Sequence, residues 1–160
     1  MEPVIIRQAQ VDDCDDILWM LSQLTSDLGD SKNFLCSEDD LRNFGFTRHS
    51  LFKGLIARRG HERMGIAIYF PLFSTLRGKP GVYLQDLWVS PEGRNLGLGK
   101  RMIEQVVIEA SQQWQAVYLH LTVHGHNESA DRFYRRFGFT DNFDENHLCL
   151  EGDAFQAFIP

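Results

Sequence analysis

The chain has 160 residues, enough for one domain, and its 43% hydrophobic and 24% charged residues are typical of a packed globular protein rather than a disordered one. A net charge of −6 argues against a nucleic-acid partner, because phosphates require clustered Lys and Arg. Three scattered cysteines argue against a disulfide framework, and neither a signal peptide nor an apolar run of about 20 residues is found, so a soluble cytoplasmic protein without a membrane partner is predicted.

The first part of the chain predicts one strand and two helices. The β-branched run at 4–6 predicts the strand. Acidic residues at 12–13 are a helix start signal, and Gly29 is a stop signal. The apolar residues between them recur every three or four positions, which predicts one buried face: Cys14, Ile17, Leu18, Leu21, Leu24 and Leu28. A second helix runs from an N-cap at Ser37 to Gly45.

Three strands are predicted in the centre of the chain. Those at 52–58 and 64–73 are separated by a short turn, so they form an antiparallel hairpin. The strongest strand is 82–89. If it is regular, its residues alternate between two faces, one carrying Val82, Leu84, Asp86 and Trp88 and the other Tyr83, Gln85, Leu87 and Val89.

The remainder predicts two more helices and three more strands. A helix is predicted at 97–114, and a shorter one at 129–137 ends at Gly138. The strands are predicted at 117–123, 147–150 and 155–159. This order of elements predicts a single α/β domain with a mixed sheet over residues 1–160.

The segment between strand 82–89 and the next helix is rich in glycine. A strand, a glycine turn and a helix form an arrangement that binds phosphate groups through backbone N–H groups. A P-loop would need Gly where Arg94 stands and Ser or Thr where Arg101 stands. A dinucleotide fingerprint beginning at Gly97 would need a third glycine at Met102. Another phosphate ligand and a purely structural turn stay open.

Two stretches resemble motifs of the GNAT acetyltransferase superfamily. Residues 89–99 resemble motif A, Arg/Gln-x-x-Gly-x-Gly/Ala after a long strand, and residues 127–139 resemble motif B, Asn-x-x-Ala/Ser-x-x-x-Tyr-x-x-x-Gly-Phe. The resemblance extends over nearly the whole chain and is closest to the diamine (spermidine/spermine) branch. It implies a mixed, mostly antiparallel central sheet flanked by helices.

The resemblance also implies an activity, the transfer of an acetyl group from acetyl-CoA to a primary amine by direct attack. The residues it implies for the pantetheine arm and the pyrophosphate are the backbones of Leu87, Trp88 and Val89 and of Arg94, Asn95, Leu96, Gly97, Leu98, Gly99 and Lys100. Asn127, with Ala130, would lie near the pantetheine arm. Tyr134 would donate a proton to the departing thiolate.

The proton acceptor and the amine site are less defined by the sequence. Where the diamine branch carries Glu-Asp, this chain has Gln85 and Asp86. Gln85 cannot accept a proton but can orient a water, and Asp86 serves if a bulge re-aims it. Glu145 is another candidate, and Asp27 and Asp30 are candidates for binding a cationic amine, with a solvated loop as their alternative.

The last expectations from the sequence concern metal binding, the oligomeric state and an alternative function. His120, His124 and His126 suggest a metal cluster, but polar residues at a strand end explain them better, so no metal is expected. The resembled branch commonly forms homodimers, so a homodimer is expected. The alternative function is a non-catalytic module that binds acyl-CoA and regulates a partner, and the loss of the branch's glutamate before Asp86 motivates it.

Overall fold

The structure is a computed structural model that describes residues 2–141 and 148–159. The chain forms two compact units, Met1–Thr122 and Val123–Pro160. Its elements in chain order are β1 (Ile5–Gln8), α1 (Cys14–Asp27), α2 (Glu38–Gly45), β2 (Lys53–Arg59), β3 (Glu62–Ser74), β4 (Lys79–Val89), α3 (Pro91–Arg94), α4 (Leu98–Trp114), β5 (Leu119–His120), α5 (Glu128–Arg135) and α6 (Gly152–Gln156).

The first unit contains a five-stranded sheet in the order β1-β2-β3-β4-β5. All neighbours are antiparallel except β4 and β5, which run parallel, so the predicted mixed, mostly antiparallel sheet is confirmed. The strand predicted at 117–123 is much shorter, because β5 pairs with β4 only through Leu119 and His120. A bulge in β4 lies two residues beyond Tyr83, the last residue of β4 that pairs with β5.

The bulge lies at Gln85. Tyr69 of β3 opposes Leu84 and Ile68 opposes Asp86, so Gln85 is an extra residue in β4. Residues that oppose each other share a face, and neighbours in β3 point to opposite faces. The predicted regular alternation is therefore wrong beyond Leu84. One face carries Tyr83, Asp86 and Trp88, and the other carries Val82, Leu84, Leu87 and Val89.

Helices α1 and α2 cover the face that carries Trp88. Of the predicted apolar face of α1, Cys14, Ile17 and Leu21 are buried, Leu18 and Leu24 are partly buried, and Leu28 lies just beyond the helix end. Gly29 follows the helix with a φ of +73°. Ser37 caps α2 as predicted, because its Oγ accepts the N–H of Asp40 at 3.2 Å. The buried cluster on this face consists of Cys14, Ile17, Met20, Leu21, Leu41, Ile56, Ile66, Ile68 and Trp88.

Helix α4 packs against β3 and β4 on the opposite face. Its buried side chains are Leu98, Met102, Ile103, Val106 and Ala110. The helix approaches the sheet closely at Gly65, where a Cβ would stand 2.7 Å from the sulfur of Met102 and 3.0 Å from the carbonyl oxygen of Trp88. A larger residue at 65 would therefore displace the Met102 side chain and crowd the backbone of Trp88.

The second unit differs from the predictions at its end. The strand predicted at 147–150 begins at a residue outside the described ones, and residues 148–150 have no regular structure. The strand predicted at 155–159 is wrong, because α6 occupies Gly152–Gln156. A short apolar run does not distinguish a strand from a helical turn, and Asp153 in the first turn favours the helix. Across residues 2–141 and 148–159, every helix is too short or too polar to cross a membrane.

Candidate functional site

The segment that follows β4 is held against the sheet by Ser90. Its N–H donates to the carbonyl oxygen of Met64 at 2.9 Å, and its Oγ accepts the N–H of Gly93 at 3.1 Å. Pro91 occupies the first position of α3, where the missing N–H is tolerated. Ser90 is buried. The segment predicted as a loop therefore begins with one helical turn, anchored to β3.

Gly97 joins this turn to α4 in a left-handed conformation with a φ of +67°. Arg101 donates its N–H to the carbonyl oxygen of Gly97 at 3.3 Å. The N–H groups of Leu98, Gly99 and Lys100 precede it, in the first turn of the helix, where no helical carbonyl can accept them. A Cβ on Gly97 would meet nothing within 4 Å. This combination of open space, N–H donors and the positive end of a 17-residue helix fits an anionic group.

One edge of β4 lies beside this helix start. Because Ser90 donates to β3 and N–H groups alternate along a strand, the backbone of Trp88 also points to β3. The N–H and C=O groups of Leu87 and Val89 point to the other edge. On that edge, within residues 2–122, β5 ends its pairing with β4 at Tyr83. Leu87 therefore presents its N–H and C=O groups to an extended ligand, and Val89 presents its N–H group, because its C=O accepts from Nε of Arg94. Trp88 presents neither.

Asp27, a predicted amine ligand, contacts the predicted cofactor segment instead of standing alone. Its Oδ2 accepts from Nη2 of Arg94 at 2.5 Å and from Nε1 of Trp88 at 3.2 Å. Nε of Arg94 donates to the carbonyl oxygen of Val89 at 3.0 Å. Asp30, the other predicted acidic ligand, accepts from Nδ2 of Asn33 at 2.6 Å. The sequence did not predict this role of the Arg94 side chain, since its partner is 67 positions away.

The bulge places Asp86 among aromatic and apolar side chains. Asp86 shares its face with Phe70 and Tyr83, whose rings stack with centroids 5.1 Å apart and an interplanar angle of 25°. Burial raises the pKa of Asp86, and a hydrogen bond from Nε2 of Gln85 at 3.1 Å opposes that rise. A carboxyl with a raised pKa accepts a proton more readily than an ordinary one. Sequence reasoning did not identify Phe70, and the stack follows from the register rather than from a motif.

The second unit contains the predicted motif B helix. Asn127 caps α5, because its Oδ1 accepts the N–H of Ala130 at 3.2 Å. Tyr134 is half-buried, with its ring centroid 5.2 Å from that of Phe133 and 5.3 Å from that of Phe139. The helix ends at Arg135 and is capped by Arg136, so it is shorter than predicted, and Gly138 with a φ of +89° lies in the turn that follows.

A groove of about 340 Å³ lies in the same unit and is lined in part by His124, Asn127 and Asp131. The rings of His124 and His126 are 5.6 Å apart. Within residues 2–141 and 148–159 there is no group of three or more His, Cys, Asp or Glu side chains that could hold a metal ion. Glu145, the remaining acidic candidate, lies outside the described residues.

Comparison with known proteins gives a family and several relatives. The model of the acetyltransferase (GNAT) family matches residues 17–139. Thialysine N-epsilon-acetyltransferase of Sus scrofa is 31% identical over 149 residues, which cover 88% of this chain and 86% of that protein. The protein of the same name from Bos taurus is 30% identical over 164 residues, covering 96% and 95%. Spermine/spermidine N(1)-acetyltransferase of Bacillus subtilis is 27% identical over 83 residues, covering 51% and 55%.

Solved structures have the same fold. An integron cassette protein from the mobile metagenome of V. cholerae has a TM-score of 0.77 at 23% identity, covering 96% of each chain. An aminoglycoside acetyltransferase from an uncultured soil metagenomic sample has a TM-score of 0.73 at 18% identity, covering 91% of this chain and 94% of that one. At these identities the likeness concerns the fold alone.

Proposed function

Since the chain belongs to the acetyltransferase (GNAT) family, as its two motifs predicted, we propose that it transfers an acetyl group from acetyl-CoA to a primary amine by direct attack. The observation that carries the proposal is the glycine segment at the start of α4, beside the unpaired edge of β4 at Leu87 and Val89. We further propose that residues 1–160 act as one acetyltransferase domain. The family match spans 17–139 and so includes parts of both units.

The chain's residues fit acetyl-CoA in two places. Backbone N–H groups of Leu98, Gly99 and Lys100 would hold the pyrophosphate, and those of Leu87 and Val89 would pair with the pantetheine arm. The N–H groups of Arg94 and Leu96, which motif A also implies, donate instead to the carbonyl oxygens of Ser90 and Gly93 at 3.0 Å each. The cosubstrate supplies an acetyl thioester, whose carbonyl oxygen needs a donor as charge develops on it. A backbone N–H at the β4 edge meets that need. Asn127 and Ala130 are proposed beside the pantetheine arm on the strength of motif B.

The reaction needs proton transfer at two atoms, the amine nitrogen and the departing sulfur. The amine nitrogen forms a bond to the acetyl carbon, and the carbon–sulfur bond breaks. An ammonium acceptor first loses one proton to solvent, and as the bond forms the nitrogen gives its second proton to Asp86, directly or through a water held by Gln85. The thiolate takes a proton from the hydroxyl of Tyr134. A proton then passes from Asp86 through solvent to the Tyr134 phenolate, which restores both groups. No acyl-enzyme forms, so neither step requires a nucleophilic side chain.

The acceptor we propose is a small cationic amine. Relatives are named for thialysine and for spermine and spermidine, which are amines of this kind. Asp86 beside the stacked rings of Phe70 and Tyr83 offers a carboxylate and aromatic faces, which together favour an ammonium group. Asp30 and Glu145 stay candidates for a second positive charge on the acceptor.

The test is release of free thiol from acetyl-CoA in the presence of thialysine, ornithine, spermidine or a neutral primary amine. Turnover with the cationic amines at lower KM than with the neutral one is the expected result. Tight coenzyme A binding without turnover on any amine would instead favour a non-catalytic acyl-CoA-binding regulatory module. That second candidate is motivated by Gln85, which stands where the diamine branch has glutamate.

We also propose that the protein is a cytoplasmic homodimer, as expected from the resembled branch. Exposed apolar side chains near the end of the chain support a surface for a second copy, with Phe158 at 81% and Leu148 at 94% exposure. Light scattering on the eluted peak of a sizing column measures the mass directly. A monomeric mass at micromolar concentration would overturn this part of the proposal.

Asp86→Asn should lower kcat/KM for a cationic amine by about 10²-fold and should stabilise the protein at neutral pH. Burial raises the folded-state pKa of Asp86, so its ionised form costs stability above that pKa. The cost disappears as the pH falls below the unfolded value of about 4. Urea unfolding should therefore give the variant the higher unfolding free energy at pH 7, with the difference shrinking in acid.

Asp39→Asn is the matched control, because Asp39 is an exposed carboxylate in the first turn of α2. It should leave kcat/KM unchanged and should not become more stable than wild type at pH 7. Equal stability of Asp86→Asn and wild type at every pH would contradict the burial of an ionised Asp86. Unchanged turnover would remove Asp86 from the reaction.

A further inference from the structure

One carboxylate oxygen joins three elements around the proposed cofactor segment. Asp27 is the last residue of α1, Trp88 lies in β4, and Arg94 is the last residue of α3. Oδ2 of Asp27 accepts from Nη2 of Arg94 at 2.5 Å and from Nε1 of Trp88 at 3.2 Å. The side chains of Asp27 and Arg94 are 49% and 54% exposed, so their charge attraction alone is screened by water. We therefore expect this arrangement to orient the Arg94 side chain rather than to add much to the unfolding free energy.

The geometry of Arg94 is fixed from two directions. Its Nε donates to the carbonyl oxygen of Val89, and its Nη2 donates to Asp27. A planar guanidinium with two of its edges bound has one orientation. Since Arg94 stands three positions before Gly97, this orientation sets where the turn between α3 and α4 begins.

The side chain of Trp88 also holds Asp27 in position. The indole ring is 4% exposed, and a buried indole N–H needs an acceptor. Trp19 of α1 packs edge-on against that ring, with centroids 5.8 Å apart. The end of α1 is thereby held to β4 by ring packing and by the hydrogen bond to Asp27, so Asp27 presents a fixed acceptor to Arg94.

We propose that Asp27 is a positioning residue for the pyrophosphate cradle and not a ligand of the amine. The inference rests on the proposed function, since it assigns Asp27 to the same cofactor segment. An ammonium group reaching Asp27 would have to share the carboxylate with a guanidinium that is already bound to Oδ2. Asp27 acts through Arg94, which keeps the N–H groups after it in place before the cofactor arrives.

Asp27→Ala should weaken coenzyme A binding about tenfold, because it removes the acceptor that orients Arg94. Asp27→Asn should recover most of the affinity, since its amide oxygen still accepts from Arg94 and Trp88. Calorimetric titration with coenzyme A measures both. Asp30→Ala is the control, because Asp30 bonds to Asn33 and should leave the affinity unchanged. Wild-type affinity in Asp27→Ala would overturn the proposal.

A change of acetyl donor separates positioning from amine binding. Acetyl-pantetheine has no pyrophosphate, so Asp27→Ala should lower kcat/KM with acetyl-CoA about tenfold and leave it unchanged with acetyl-pantetheine. An equal loss with both donors, together with a raised KM for the amine, would overturn the proposal and return Asp27 to the amine site. If the wild-type protein binds coenzyme A but acetylates no amine, the proposed acetyltransferase function is wrong. The role of Asp27 is still tested in that case, because the calorimetric comparison does not depend on turnover. If Asp27→Ala unfolds, Asp27→Ser takes its place in both measurements, because its shorter hydroxyl also withdraws the carboxylate from Arg94. Wild-type coenzyme A affinity in Asp27→Ser would then overturn the proposal.

Discussion

Tyr134→Phe is expected to lower kcat by about 10²-fold or more while leaving the Kd for acetyl-CoA nearly unchanged. The substitution removes one hydroxyl and keeps the ring that packs against Phe133 and Phe139. Without this proton donor, the coenzyme A thiolate must leave as an anion or take its proton from water. Initial rates of thiol release at saturating amine give kcat, and calorimetry with coenzyme A gives the affinity.

Tyr118→Phe is the matched control, since it also removes a single phenolic hydroxyl. Tyr118 packs against Gly81 and lies outside both motifs. It should leave kcat within about twofold of wild type. An unchanged kcat in Tyr134→Phe would refute the acid assignment. A large rise in the Kd for coenzyme A would make Tyr134 a cofactor ligand.

Local patterns predicted the parts of the fold that depend on local forces. The three- and four-residue spacing of apolar residues in α1 follows from one helical face packing on the sheet, and Cys14, Ile17 and Leu21 of that face are buried. The cap at Ser37 depends on a side chain and a backbone N–H three positions apart. Such features can be predicted from the sequence because the residues that interact lie within one or two helical turns of each other.

The bulge at Gln85 was not predictable in the same way. It is a property of the register between β3 and β4, and nothing in 82–89 read alone shows which residue lacks a partner. A regular strand would place Asp86 on the face of Leu84. The extra residue moves Asp86 to the face of Phe70 and Tyr83, so the position of this proposed proton acceptor depends on one register shift.

Asp27 illustrates the same limit at longer range. In the sequence it is one acid in a polar stretch, which indicates either a cationic ligand or a solvated loop. Its partners lie 61 and 67 positions further along the chain. Only the packing of α1 against β4 brings them together, so periodicity and composition carry no signal for this contact.

Gly97→Asp is expected to abolish measurable binding of coenzyme A. Gly97 has a φ of +67°, which costs an L-residue roughly 1 kcal/mol or more. The added carboxylate would project from the N-terminal end of α4 into the space where the pyrophosphate is proposed. Two negative groups would then compete for the same N–H groups, and the like charges would repel each other. Calorimetry with coenzyme A measures the loss.

Two further variants decide which property of Gly97 matters. Gly97→Asn adds nearly the same bulk without charge and tolerates the left-handed conformation, so it should weaken binding less than Asp does. Gly78→Asp adds the same carboxylate at a φ of +60° in the turn between β3 and β4, where a Cβ also meets nothing within 4 Å. It should reproduce the backbone strain and leave coenzyme A binding intact. Normal affinity in Gly97→Asp would show that the pyrophosphate lies elsewhere, and equal losses in all three variants would attribute the effect to unfolding instead of to the site.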